Sequence, residues 1–249
     1  MCGIAGAIVY DSGSARLDCL LAAVEASSSR GEDAFGIVRW SASAGFRFHR
    51  LLGRSQGGWL DAVGPPAADE PTVYLHTSRA EPTTEWRQEK TDTDIPPFVD
   101  EGIAVAHNGI IANDDDLAEN YGLDRVSSID TAIVPPLVAR LGLWAAVAAL
   151  KGGAALAIFD ERRMVLALCR NFMPLVLAWE PGIVCFASEA GFFPEARRPF
   201  RTYQSWELPP YSGLELAGRG YRGPVTWGEQ PQWKDEEAWQ PFPNLQWGG

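Results

Sequence analysis

A chain of 249 residues, 46% of them hydrophobic, can bury one substantial core, and one large domain is the simplest organisation at this length. Its formal net charge of −11 opposes direct binding to nucleic acid, which needs clustered Lys and Arg to displace counterions. There is no apolar run of about 18 residues, no basic-then-apolar leader, no C-x-x-C pair among Cys2, Cys19, Cys169 and Cys185, and only three scattered histidines, so membrane-spanning, secretory, disulfide-scaffold and structural-zinc classes fall away and the cytoplasm is the default compartment.

Residues 3–10 (GIAGAIVY) are apolar, β-branched and punctuated by glycine, which predicts a buried strand starting almost at the first residue. Chain starts usually fray, so order there implies that the terminus is held for a purpose. Leu17, Leu20, Leu21 and Val24 fall at helical spacing over 16–28, and the SSSRGED loop ends that helix before a strand at 35–40. Further strands are predicted at 46–52, 72–77 and 102–107, the last entering a tight turn at Asn108-Gly109. Asp114, Asp115 and Asp116 suit the positive end of a helix over 114–121 rather than a metal site. A longer helical pattern covers 129–150, interrupted by Pro135 and Pro136. Four apolar runs, 153–160, 164–170, 174–179 and 182–188, then read as a meander. This order predicts an α+β fold and is compatible with αββα layers among other arrangements. From 219 onward Trp227, Trp233, Trp239 and Trp247 alternate with Pro, Gly and charge without a period, which predicts an extended arm over 219–249 beyond a domain of residues 2–218.

Chemistry concentrates at the start. Loss of Met1 ahead of a small residue would make Cys2 the N-terminal residue, uniting nucleophile and base in one amino acid. A free α-amine titrates at roughly 7.7–8.0, against about 10.4 for lysine, so near neutrality it can take the thiol proton. The thiol, at about 8.5, then needs modest help to attack. His107-Asn108-Gly109 offers a side-chain amide and a glycine N–H that could converge as an oxyanion hole, each donor worth about 3–4 kcal/mol. Arg79, within LHTSRAEPTT, and Asp130, within SSIDT, are a minimal pair for the carboxylate and ammonium of an amino-acid substrate. Taken singly, each has a plain structural alternative: a small strand-filling residue, a hairpin turn, a solvated strand-end charge and a helix cap.

Taken in order, these pieces resemble the class II glutamine amidotransferases, N-terminal-nucleophile (Ntn) hydrolases with a four-layer αββα sandwich of two mainly antiparallel sheets. The resemblance runs through MCGIAG, RGEDAFG (family R-G-P-D-x-x-G), the Arg79 segment, HNG, SIDT (family S-D-T-E), GGAALAIFD, NFMPLVLA and CFASEA, and spans about residues 2–218. It implies that Cys2 attacks the δ-carbonyl of L-glutamine and that ammonia leaves a γ-glutamyl thioester to be hydrolysed, with no cofactor and no metal. It further implies that the Cys2 α-amine is the base, Asn108 and Gly109 the oxyanion hole, Arg79 and Thr83 the carboxylate donors, and Asp130 the ammonium anchor. Asp33 is then a loop-ordering residue and His107 a structural one. The family often reads H-x-R, whereas His76-Thr77-Ser78-Arg79 places arginine three after histidine. Because strand faces alternate, a bulge or a shifted alignment is needed to turn Arg79 inward, with Arg87 and Arg30 the next candidates.

Family members usually fuse this domain to a synthase, and nothing after residue 218 is long enough to be one. The resemblance therefore implies a stand-alone subunit that passes ammonia to a separate synthase or transferase, without direct nucleic-acid or membrane binding. Hydrolysis of another γ-glutamyl amide, a papain-like cysteine–histidine hydrolase, and a non-catalytic regulatory subunit of the same fold remain as alternatives.

Overall fold

The computed structural model describes residues 2–55, 57–80, 91–193, 204–218 and 220–229. In chain order its strands are β1 (Gly3–Val9), β2 (Ala34–Ser41), β3 (Gly45–Leu52), β4 (Thr72–Arg79), β5 (Phe98–Asp100), β6 (Ile103–Ile111), β7 (Gly152–Asp160), β8 (Val165–Arg170), β9 (Val176–Glu180), β10 (Ile183–Ala187), β11 (Gln204–Glu207), β12 (Ser212–Ala217) and β13 (Gly220–Thr226). The helices are α1 (Asp18–Ser27), α2 (Trp59–Val63), α3 (Asp114–Tyr121), α4 (Val134–Leu141) and α5 (Leu143–Ala149).

The strands form two antiparallel sheets, ordered β11-β9-β10-β1-β4-β2-β3 and β13-β12-β8-β7-β6-β5. Side chains alternate across each strand, and the alternation builds the layers. Ile4 and Ile8 of β1, Val73 and Leu75 of β4, Ala104 and Ala106 of β6, and Ala155 and Ala157 of β7 fill the space between the sheets. On the other face of the first sheet, Ala5, Ala7 and Tyr74 pack with Leu20, Ala23 and Val24 of α1. Beyond the second sheet, Val105, Leu156 and Ile158 pack with Leu137 and Val138 of α4 and Trp144 and Val147 of α5. The result is the four-layer αββα sandwich. Both faces of the central strands are covered, which is why β1 reads as an unbroken apolar run, and each fully buried Ile, Leu or Val stabilises the fold by about 1.5–3 kcal/mol.

Four features depart from the sequence-based expectation. The turn expected at Asn108-Gly109 is absent: β6 runs on to Ile111 in unbroken register with β7, because the facing Gly152 and Gly153 leave room for extended chain at Gly109, whose φ is 143°. The helical pattern over 129–150 breaks at Gly142 rather than at the prolines, since Pro135 and Pro136 sit in the first turn of α4, where a missing N–H costs nothing. The four apolar runs are not one meander, because β7 and β8 belong to the second sheet and β9 and β10 to the first. Residues 220–226, assigned by sequence to the arm, form β13 and pair with β12. No helix among the described residues is long and apolar enough to cross a membrane.

Candidate active site

β1 lies between β10 and β4 in the middle of the first sheet, so the start of the chain is held on both sides. Beyond the β10 pairing, Ser188 grips Ile4 twice: its hydroxyl accepts the Ile4 N–H at 2.9 Å and its own N–H donates to the Ile4 carbonyl at 2.9 Å. Arg30 Nε donates to the Cys2 carbonyl at 3.1 Å while its guanidinium pairs with Glu189. The RGED loop is pressed flat against the end of β4, where a Cβ on Gly31 would come within 2.5 Å of the Ser78 carbonyl oxygen, so only glycine fits. Asp33 closes this loop through its backbone N–H, which donates to the Arg79 carbonyl at 3.0 Å. Ser188 and Glu189 were missed as site-building residues. They lie in the CFASEA segment, and nothing in it signals that its polar residues reach Ile4 and Arg30, 184 and 159 positions away.

Cys2 is partly buried, continues the inter-sheet side of Ile4 and Ile8, and its Sγ lies 3.8 Å from the Ala80 carbonyl oxygen. Burial pushes its thiol up from the ordinary value; the nearby Arg79 guanidinium pulls it down, and the Asp130 carboxylate adds to the rise. Arg79 and Asp130 thus both lie within electrostatic reach of Cys2. Such a thiol is protonated near neutrality and needs a base to become an attacking thiolate.

No bulge is needed to bring Arg79 in. β4 keeps unbroken register with β1 from Thr72 to Ser78 and with β2 through Arg79, and Val73 and Leu75 place Thr77 and Arg79 on the inter-sheet face. His76 is the residue that faces out. Its Nδ1 donates to the Gly36 carbonyl at 2.8 Å, and Nε2 lies 2.7 Å from the Ser27 hydroxyl and 2.9 Å from that of Ser78. Thr77, two before Arg79, lies on the same face.

Asn108 is fully buried, its alternation with Ala104 and Ala106 turns it toward the first sheet, and neither its Oδ1 nor its Nδ2 has a hydrogen-bond partner. Thr77 Oγ1 is likewise buried and unpartnered. Buried polar groups left unmet cost roughly 1–3 kcal/mol each, and these two face the inter-sheet space from opposite sheets. Gly109 follows, and a Cβ there would lie 1.8 Å from the Gly153 carbonyl oxygen.

Asp130 opens the 3-10 turn Asp130–Ile133. Its Oδ2 accepts the Ile111 N–H at 2.7 Å and its Oδ1 the Thr131 N–H at 2.6 Å, which ties the turn to the end of β6. The Thr131 hydroxyl donates to Asp130 Oδ1 at 3.1 Å, so the His107 Nδ1–H donates to Thr131 Oγ1 at 2.8 Å. His107 is held neutral by burial, against the opposing pull of Asp130, and faces the helical layer. Neither His76 nor His107 shares the face of Cys2, which removes the geometric basis for a papain-like pair. Thr83 and Arg87 lie outside the described residues. Among the described residues, no three His, Cys, Asp or Glu side chains form a group able to hold a metal ion.

Two facing antiparallel sheets between helical layers, with a cysteine at the head of a central strand, define the class: an enzyme of the N-terminal-nucleophile fold. Residues 85–195 match the family described as glutamine amidotransferase domain. The chain is 31% identical over 229 residues to 7-cyano-7-deazaguanine synthase of Saccharolobus solfataricus, covering 85% of this chain and 47% of that protein. It is 29% identical over 212 residues to glutamine–fructose-6-phosphate aminotransferase (isomerizing) of Escherichia coli, covering 80% of this chain and 33% of that one. Glutamine phosphoribosylpyrophosphate amidotransferase of B. subtilis shares the fold, with a TM-score of 0.65 at 21% identity over 88% of this chain and 48% of that one. The chain is thus related to the glutamine amidotransferases and shares the fold of one of them, and it spans about half the length or less of these relatives.

Proposed function

We propose that the protein hydrolyses L-glutamine to glutamate and ammonia through a γ-glutamyl thioester on Cys2, and that the ammonia is used by a synthase. The observation that carries this reading is that the Arg79 guanidinium and the Asp130 carboxylate both act on the Cys2 thiol, while the unpartnered Asn108 amide is turned from the second sheet into the same inter-sheet space. In it, the α-amine of a Met-free Cys2 accepts the thiol proton, and the thiolate attacks the δ-carbonyl. The amide of Asn108 and the N–H of Gly109 meet the oxygen that becomes negative, and the leaving ammonia takes the proton back from the amine. Arg79 and Asp130 hold the α-carboxylate and α-ammonium. Water then attacks the thioester by the same route in reverse.

The synthase is supported by the length of the relatives, whose unmatched half has room for acceptor chemistry. A nitrile nitrogen stands at the oxidation level of ammonia, so an ammonia-supplying domain suits an enzyme named for making a cyano group, and we propose an acceptor of that class. Protein freed of Met1 should release ammonia from L-glutamine, and Cys2→Ala should release none while still binding glutamine. Undiminished turnover in Cys2→Ala, or in homogeneous Met1-bearing protein, would sink the proposal. Faster release of amine from γ-glutamyl peptides than of ammonia from glutamine would shift it to the other γ-glutamyl amides.

A further inference from the structure

β8 ends at Arg170, which pairs with Ala155 of β7, so the outer edge of β7 at Gly152–Ala154 lies beyond the last rung of its neighbour. Asn171 occupies that place with backbone and side chain together. Its N–H donates to the Ala154 carbonyl at 3.0 Å, and its Oδ1 accepts the Ala154 N–H at 3.0 Å and the Phe172 N–H at 2.7 Å. Its Nδ2 donates to the Gly152 carbonyl at 2.7 Å. Backbone N–H groups can only donate, so these partners fix which end of the amide is oxygen. Asn171 is 5% exposed, and its bond to the Ala154 N–H is buried.

The gripped segment is the one on which the candidate oxyanion hole leans. Across from it, Gly109 pairs with Ala154, Ile110 with Gly153 and Ile111 with Gly152. The Gly109 backbone passes so close to the Gly153 carbonyl that the height of that carbonyl dictates its path. Phe172, whose N–H is held by the same Oδ1, lays its ring over Gly153, within 2.6 Å of where a Cβ would stand. Two consecutive glycines at a strand end would otherwise be the softest point of the sheet.

Resting on the glutaminase reading above, we propose that Asn171 is a positioning residue for the oxyanion hole. Its side-chain amide replaces the missing strand beside Gly152–Ala154 and through that segment sets the position of Asn108 and Gly109. The oxygen it serves becomes an anion only as the reaction proceeds, so the effect belongs to kcat rather than to glutamine binding. A shift of about 1 Å at such a site can cost on the order of 10²-fold.

Asn171→Asp preserves shape and the Oδ1 acceptor but sets a carboxylate oxygen against the Gly152 carbonyl. In Met-free enzyme it should lower kcat for glutamine by roughly 10- to 100-fold while KM stays within about threefold. The loss should shrink towards nothing when the same change is made in Asn108→Ala, because a hole without its amide has little left to misplace. Asn171→Ser, which also loses the Gly152 bond, serves if the aspartate variant does not fold. An unchanged kcat, or the same fold-loss in both backgrounds, would overturn the proposal, since a purely structural role lowers the active fraction equally in each. A parent enzyme that fails to hydrolyse glutamine would overturn the glutaminase reading and this one together; an active parent with unaffected variants would overturn this one alone.

Discussion

Asn108→Ala should reduce activity without reducing stability, a combination that few buried substitutions produce. Both polar atoms of the Asn108 amide are buried without a partner, and a group in that condition costs roughly 1–3 kcal/mol relative to one that is met. Removing it recovers that cost, less whatever an ordered water already returns, and loses about 1 kcal/mol of packing for the small void left behind. The net change is near zero or favourable, so the melting temperature should match or exceed that of the parent. Catalysis moves the other way. The amide is proposed to meet the tetrahedral oxyanion, and loss of one such donor lowers kcat by about 10²- to 10³-fold, or roughly 3–4 kcal/mol of transition-state stabilisation. Urea unfolding followed by fluorescence of the tryptophans, beside coupled glutamate release across glutamine concentrations, reads both quantities on the same sample. A destabilisation above about 2 kcal/mol would show that the amide supports the fold, and kcat within about threefold of the parent would show that it meets no developing charge. Either result refutes the reasoning.

Arg79→Ala and Asp130→Asn should chiefly raise KM, because the α-carboxylate and α-ammonium look alike in ground and transition states; if the ratio of kcat loss to KM rise is not smaller for both than for Asn108→Ala, the assignment fails. Gly109→Ala should give little folded, active protein, since its φ of 143° and a 1.8 Å approach to the Gly153 carbonyl leave no place for a methyl group, and a soluble variant with parental kcat would contradict this. His76 is pushed down to about 3 by burial, against an ordinary value of 6.5. The unfolded chain therefore takes up a proton in that window and the native chain does not. The stability tied to this group is complete above pH 6.5 and is lost as pH falls towards 3, at up to about 1.4 kcal/mol per pH unit. His76→Gln should flatten the acid slope of the unfolding free energy between pH 6 and 4, and an unchanged slope would show that His76 does not carry it.

Much of the fold was legible because its signals are local. The apolar run from Gly3 and the periodicity of Leu17, Leu20 and Val24 depend only on neighbours in the chain, and the structure places β1 and α1 within two residues of those limits. What misled was tertiary. Asn108-Gly109 carries the strongest short turn signal there is, yet the facing Gly152 and Gly153 accept an extended glycine and the strand runs on. Face assignment failed at β4 for a related reason. Counting from His76 makes Arg79 look misdirected, but only the partners of His76, Ser27 on α1 and Gly36 on β2, reveal that the histidine is the outward residue. Asn171 gave no signal, because an amide that stands in for a strand cannot be recognised until the strand it replaces is known to be missing.

The same alternation explains how the proposed nucleophile, Cys2, can be held so near the chain start. A terminal residue is ordinarily too mobile to aim a reacting atom, but β1 is flanked by β4 and β10, and its first rungs are pinned by Ser188 and by Arg30 with Glu189. Every even position then points to the second sheet, so the order that buries Ile4 and Ile8 also turns Cys2 into the inter-sheet space. Under the proposed mechanism, removing Met1 turns a nonbasic amide nitrogen into an amine that titrates near roughly 7.7–8.0, while the pairings of β1 with β4 and β10 begin at Gly3 and Ala5. Processing should therefore switch on turnover at constant fold. The activity it releases should rise with pH across that amine, while the thiol, held up by burial, stays protonated until the amine takes its proton.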